Sequence, residues 1–284
     1  MADVQTLGRY QLKRKIAGGA TGEVYEALDP KLDRPVAIKT ILKSYLNEEA
    51  SREYSVRFKE AAQAVARLEH SNIVQVYDFG EQGEAAFIVM ELIRGKDLKH
   101  SFDSNVRFEA RESVRMMCEL LSALDYAHQA GIVHRDIKPS NVMLDAEGRV
   151  KLTMDFAVAR LIDVDRTGRT EVGAMAGTAS YVSPEQVQGL AVDHRSDLFA
   201  CGIVLYQFLT NELPFTGDKS TLLKRIVHED PMRPSAINTA LPPEFDRVIS
   251  RALAKAPEAR YQSAADFSRA LQRVFAEKSG SDPN

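Results

Sequence analysis

The chain has 284 residues, 44% of them hydrophobic, which suffices for one large core or two smaller ones meeting at a cleft. Its 37 Lys and Arg against 40 Asp and Glu leave a net charge of −3, which excludes a broad, sequence-independent nucleic-acid footprint. The two cysteines, Cys118 and Cys201, lie in apolar helical patterns and read as buried free thiols of a reducing cytosol, not as a disulfide or a zinc site. From Tyr10 to about Met90 the pattern is strand-like, with Val24–Ala27, Val36–Lys39, Val74–Tyr77 and Phe87–Met90 set between turn or charged segments. One helix interrupts these strands, from about Glu53 to Leu68, where Phe58, Ala61, Ala62, Val65 and Leu68 recur at helical spacing and Glu60 lies beside the stripe.

After Gly95 the chain turns mainly helical. Val114, Met117, Cys118, Leu121 and Leu124 mark one helix, Leu198 to Leu209 another, and Phe245 to Ala254 a third. The expected organisation is therefore an α+β fold with a first lobe over residues 1–93 and a second over 94–275, followed by a polar tail, 276–284, that reads as disordered. The start, Met1 to Gln5, lacks the basic and apolar regions of a signal peptide, and the longest apolar stretch is too short to span a bilayer. A soluble, cytoplasmic chain is expected, standing alone or as a piece of a longer protein.

Four segments carry chemistry. Ala17-Gly18-Gly19-Ala20-Thr21-Gly22 lies between two expected strands, where glycines allow backbone amides to approach an anion; a tight hairpin without a ligand is the plainer alternative. Lys39 ends the apolar strand Val36-Ala37-Ile38, so its ammonium either meets an anionic partner, Glu60 by pattern, or reaches out to solvent along its stem. The densest polar run in an apolar neighbourhood is His134 to Asn141. There Asp136, Lys138 and Asn141 together could accept a proton, neutralise a phosphate and offer oxygen to a hard metal ion. Asp155, after the apolar Val150-Lys151-Leu152, offers a second oxygen, and two such oxygens suit magnesium. No Cys/His cluster competes for zinc, and the absence of a GxSxG pattern weakens a hydrolase reading. His70, His100, His128, His194 and His228 show no ligand-like spacing and read as surface or satisfied core histidines.

In their order and spacing, these segments resemble the eukaryotic-like protein serine/threonine kinases, from about residue 8 to 275, with Gly177–Gln186 and Leu213-Pro214-Phe215 resembling bacterial members. The resemblance implies a bilobal protein kinase fold, with a small, mainly antiparallel β lobe carrying one helix and a larger, mainly helical lobe. It implies ATP and magnesium as cofactors and Ser/Thr hydroxyls of proteins as acceptors. ATP would be bound by Ile16, Ala17, Gly18, Gly19, Gly22, Val24, Ala37, Lys39, Glu60, Met90, Glu91, Ile93, Asp97 and Met143. Met90 would be the gatekeeper, and Glu91 with Ile93 the hinge. Asp136 would be the catalytic aspartate and Lys138 would contact the transferred phosphate, while Asn141 and Asp155 would hold magnesium. Thr178 would belong to the substrate loop, Glu185 would pair with Arg260, and Asp197 would brace the catalytic loop. Arg135, beside Asp136, suggests control by phosphorylation of the activation segment, with Thr170 the first candidate and Thr167 the second; both are otherwise ordinary loop residues. A kinase dimer for trans-autophosphorylation fits the same picture, whereas no nucleic acid is expected as a partner.

The chain departs from that pattern in three places. Ala17 stands at the first glycine of the loop, Ala157 replaces the glycine after Asp155-Phe156, and Asn141 lies one residue further from Asp155 than usual. An extra residue in a strand reverses every facing side chain unless a bulge or longer turn absorbs it, so an irregularity is expected between Asp145 and Asp155. These departures keep open a pseudokinase, a nucleotide-binding scaffold without useful turnover. Retention of Lys39, Glu60, Asp136, Lys138, Asn141 and Asp155 weighs against it, and Thr178 with Ser183-Pro184-Glu185 disfavours a small-molecule kinase.

Overall fold

A computed structural model describes residues 5–19, 22–42, 48–83, 85–154 and 179–276. They divide into two units, one holding residues 5–94 with 153–154, the other residues 95–152 and 179–276.

The first unit is a six-stranded antiparallel sheet with one helix. Its elements are β1 (Thr6–Leu7), β2 (Tyr10–Gly19), β3 (Gly22–Asp29), β4 (Arg34–Leu42), α1 (Glu48–Ala66), β5 (Val76–Gln82) and β6 (Ala85–Glu91), with sheet order β1-β2-β3-β4-β6-β5. Alternation along the strands divides the side chains into two sets. Tyr10, Ala27, Val36, Ile38, Phe87 and Val89 form one buried cluster, with Leu7 and Leu12 packed against it. The opposite set includes Val24, Ala37, Lys39, Ile88 and Met90, because Lys39 pairs with Val24 and Ile88 while Ala37 pairs with Met90. Helix α1 buries the expected stripe of Phe58, Ala61, Ala62 and Val65, and Phe58 meets Phe79 of β5 edge-on at 6.2 Å. It begins earlier than its apolar pattern and ends at Ala66; Leu68, 2% exposed, follows in a turn closed by its own N–H to the Val65 carbonyl. The strand expected from Val74 begins at Val76 and runs on through polar residues, since main-chain pairing with β6, not apolar alternation, sets its length.

The second unit is mainly helical. In chain order it comprises β7 (Lys96–Asp97), α2 (Leu98–Asp103), α3 (Ala110–Gln129), a 3-10 turn (Pro139–Asn141), β8 (Val142–Leu144), β9 (Val150–Leu152), a second 3-10 turn (Ala179–Tyr181) and α4 (Pro184–Gln188). There follow α5 (Arg195–Thr210), α6 (Lys219–His228), α7 (Pro234–Ile237), α8 (Glu244–Ala252), a 3-10 turn (Pro257–Ala259) and α9 (Ala264–Ala276). The hub is α5, buried on every side from Ser196 to Tyr206, as a helix apolar all round must be. Cys201 is buried in it; Cys118 on α3 is only partly covered, and both are free thiols. Strands β7, β8 and β9 form a small sheet, which Gly95 enters so closely that a Cβ there would stand 1.8 Å from the Leu144 carbonyl oxygen. Among the described residues, no helix is long and apolar enough to cross a membrane.

Candidate active site

In the first unit, β2 and β3 form a hairpin whose register pairs Ala17 with Val24, Gly18 with Glu23 and Gly19 with Gly22. Two register shifts, at Leu12/Arg14 and Lys15/Ala17, interrupt the ladder and add local twist. Gly22 is indispensable on two grounds: its φ is +142°, and a Cβ would stand 1.7 Å from the Thr40 carbonyl oxygen. Ile16, 40% exposed, and Ala17 and Gly18 lie on the open surface of β2.

Lys39 is 7% exposed at the centre of the sheet, and the register gathers it with Val24, Ala37 and Met90 on one face. Four residues that the resemblance assigns to ATP, scattered from position 24 to 90, are thus brought together by pairing alone. Glu91 ends β6, its N–H donating to the Gln75 carbonyl at 2.9 Å, and Ile93 follows half-buried. Glu60 is exposed on α1, beside rather than within the buried stripe, so the structure does not bury it with Lys39. A carboxylate there keeps its hydration, whereas burial beside the lysine would remove it.

In the second unit, His134 to Asn141 is an ordered loop between Ile132 and β8. Asp136, Lys138 and Asn141 are 6%, 8% and 3% exposed, and Ile137 between them is buried. Lys138 Nζ lies 2.8 Å from Asp136 Oδ2. Asn141 Nδ2 donates to the same oxygen at 3.0 Å and to the Asp136 carbonyl at 2.7 Å. These bonds fix the direction of the Asn141 amide. With Nδ2 committed to Asp136, Oδ1 is the end of the Asn141 side chain that can accept.

The loop is held by groups remote in sequence. Arg135 has a φ of +64°, a left-handed backbone costing a non-glycine residue about 1–2 kcal/mol. Asp197, in the first turn of α5 and 1% exposed, accepts the N–H of His134 at 2.9 Å and that of Arg135 at 2.6 Å. Its Oδ2 also meets His128 Nε2 of α3 at 2.8 Å, and since a carboxylate only accepts, this histidine nitrogen carries the proton. Burial pushes the Asp197 carboxyl upward, but the hydrogen bonds from the His128 ring and the His134 amide outweigh it and hold it below the usual aspartate value. The N-terminus of α5 adds a favourable dipole.

Glu185 of α4 accepts a two-pronged bond from Arg260, Oε1 at 2.8 Å and Oε2 at 2.7 Å, and also takes the Ser196 hydroxyl. Burial raises the Glu185 carboxyl, and the Arg260 and Ser196 bonds more than reverse this, leaving it below the ordinary value. Ser183 caps α4 in a capping box with Gln186. Asp97 caps α2, accepting the His100 N–H at 2.7 Å, and is the direct cross-strand partner of Met143. This joins two residues assigned to ATP by the resemblance.

Strands β8 and β9 pair without a register shift, Val142 with Leu152, Met143 with Lys151 and Leu144 with Val150. The connecting turn is regular, with Gly148 at φ +72° and the Asp145 carboxylate accepting from the Glu147 and Arg149 amides. The hairpin therefore absorbs no extra residue, and what remains of the interval is Thr153 and the buried Met154 beyond β9. Asp155, Ala157, Thr167, Thr170 and Thr178 lie outside the described residues, as does the tail beyond Ala276.

The sequence does not point to two participants. His128, expected as a surface or satisfied core histidine, is the latter, bonded to Asp197 across 69 residues, a contact that its spacing does not signal. Gln186 was noted only within a segment, although the S-x-x-Q pattern of Ser183 to Gln186 is a legible helix cap.

The model for "Protein kinase domain" matches residues 10–275. The chain is 42% identical to "Serine/threonine-protein kinase PksC" of Streptomyces coelicolor, over 98% of this chain and 51% of that protein. It is 41% identical to "Serine/threonine-protein kinase PknB" of Mycobacterium tuberculosis, over 94% of this chain and 43% of that protein. It is 40% identical to "Probable serine/threonine-protein kinase PknB" of Bifidobacterium longum, over 92% of this chain and 39% of that protein. The chain thus spans from 39% to 51% of these relatives' lengths.

Proposed function

The chain belongs to the protein kinase domain family, and on that premise we propose that it transfers the γ-phosphoryl group of ATP to Ser/Thr hydroxyls of proteins, itself included. Kinases of this family use ATP and a divalent metal. The observation that carries the reading is the buried triad of Asp136, Lys138 and Asn141, in which Lys138 and Asn141 both bond Asp136 on a braced loop. A scaffold gains nothing from burying a charge pair beside an amide that a well-packed apolar loop would replace at no cost in stability.

In this reading Asp136 orients the acceptor hydroxyl and takes its proton, while Lys138 neutralises charge on the transferred phosphoryl group. Asn141 Oδ1, with Asp155, would hold magnesium, which supplies charge neutralisation at the phosphates. Lys39 would reach the α and β phosphates, with Val24, Ala37 and Met90 on the same face and Met143 lining the adenine, and Asp97 would offer its carboxylate to the ribose. Ile16, Ala17, Gly18, Gly19 and Gly22 would cover the phosphates, and Glu91 and Ile93 would present the hinge. Glu60, exposed on α1, would be the anionic partner of Lys39. The first unit would then bind ATP and the second carry the reaction, at a cytoplasmic site. Thr170 or Thr167 would be modified in trans within a dimer, and Thr178 would face the substrate.

The test is label transfer from γ-labelled ATP with magnesium to a generic protein substrate. Transfer by the parent chain and none by Asp136→Asn is expected; equal labelling by both would overturn the reading.

A further inference from the structure

The peptide unit that precedes Asp136 is bonded at both ends. Its N–H, that of Asp136, donates to His134 Nδ1 at 3.2 Å, and its carbonyl, that of Arg135, accepts from Gln186 Nε2 at 3.0 Å. Together with the Asp197 bond to the Arg135 N–H, these bonds fix a residue held at φ +64° on both sides. Gln186 is 4% exposed, and its orientation is not arbitrary. Its Oε1 faces the Ser183 N–H at 2.9 Å, which can only donate, and its Nε2 faces a carbonyl, which can only accept. The two halves of one amide are therefore committed to two different segments.

We propose that Gln186 is a positioning residue for Asp136, coupling the Ser183–Gln188 corner to the catalytic loop by setting the plane of the Arg135–Asp136 peptide. Any displacement of the cap of α4 is passed to that peptide, and from it to the Asp136 carboxylate, by one hydrogen bond. The inference rests on Asp136 being the catalytic carboxylate.

Gln186→Glu separates the two halves. An ionised carboxylate still accepts the Ser183 N–H, so the helix cap survives, but it sets an anion against the Arg135 carbonyl in place of a donor. At pH 8 the expected result is a kcat on the order of tenfold lower, the scale of a slightly misplaced catalytic group, with KM for ATP unchanged within about twofold. Protonating the introduced carboxyl restores a donor for the carbonyl, so the variant-to-parent ratio of kcat should climb toward one as the pH is lowered to about 6. Gln188→Glu, the same charge change at an exposed position of the same helix, should leave the ratio at one throughout. Parental kcat in Gln186→Glu at pH 8, beside an inactive Asp136→Asn, would overturn the coupling and leave the kinase reading intact. So would a loss that does not vary with pH and tracks a lowered melting temperature. Activity in Asp136→Asn would instead overturn the reading on which the inference rests.

Discussion

The Asp197 carboxylate accepts the amide of Arg135 at 2.6 Å across 62 residues of chain, while its other oxygen takes His128 and His134. One buried side chain thereby supports a left-handed residue adjacent to Asp136. Asp197→Asn keeps the shape but turns an N–H toward at least one of three donors. A buried donor without an acceptor costs about 1–3 kcal/mol, so the variant should unfold at lower urea concentration. Phosphoryl transfer should fall by more than about tenfold, because the Asp136 peptide loses its reference.

Glu185 and Arg260 form a buried, two-pronged pair, and removing one partner strands the other charge. Arg260→Met should therefore destabilise by about 3–5 kcal/mol, measured by urea unfolding at neutral pH. The Glu185 carboxyl is held below its ordinary value of 4.5, so on acidification the unfolded chain takes up the proton first. The stability that this group contributes is full above about pH 4.5 and is lost as pH falls further. Melting temperature should drop more steeply below that pH in the parent than in Glu185→Gln.

Gly22 combines positive φ with direct contact to the Thr40 carbonyl. Gly22→Ala should disturb the β2–β3 hairpin, at a cost of about 2 kcal/mol or more from the backbone and the overlap together. Weaker ATP binding, read by titration with a fluorescent nucleotide, is the expected outcome; unchanged affinity would place the hairpin outside the nucleotide site.

Lys39 shares a face with Val24, Ala37 and Met90, and a methionine fills nearly the same volume without the charge. Lys39→Met should lower transfer by about 100-fold or more, with a lowered melting temperature where the interaction of the buried ammonium is lost. Steady-state kinetics beside calorimetry separates the two effects.

Much of the first unit was legible because period-two alternation and period-3.6 stripes are local signals. Val36 to Lys39 read as a buried strand, and Phe58, Ala61, Ala62 and Val65 as a helix face, and both are so. The irregularity expected after Asp145 is absent from the β8–β9 hairpin, whose register is set by main-chain pairing that residue counting does not see. Glu60, expected beside the apolar stripe of α1, lies there. A stripe tells which residues are apolar, yet a carboxylate at its margin is placed by solvation and by the angle of the helix, and here it is exposed.

By itself the sequence determined the chemistry on offer: the residue types of His134 to Asn141, the lysine after an apolar run and the glycine hairpin. Each is a statement about neighbours in the chain, where spacing is geometry. What tertiary structure alone decided is how that chemistry is held. Asp197 and Gln186 come from two separate helices to bond the amide and the carbonyl of Arg135, and His128 of a third helix holds Asp197. No local pattern encodes such meetings, because a buried polar group gains its stability only from the partner that packing supplies.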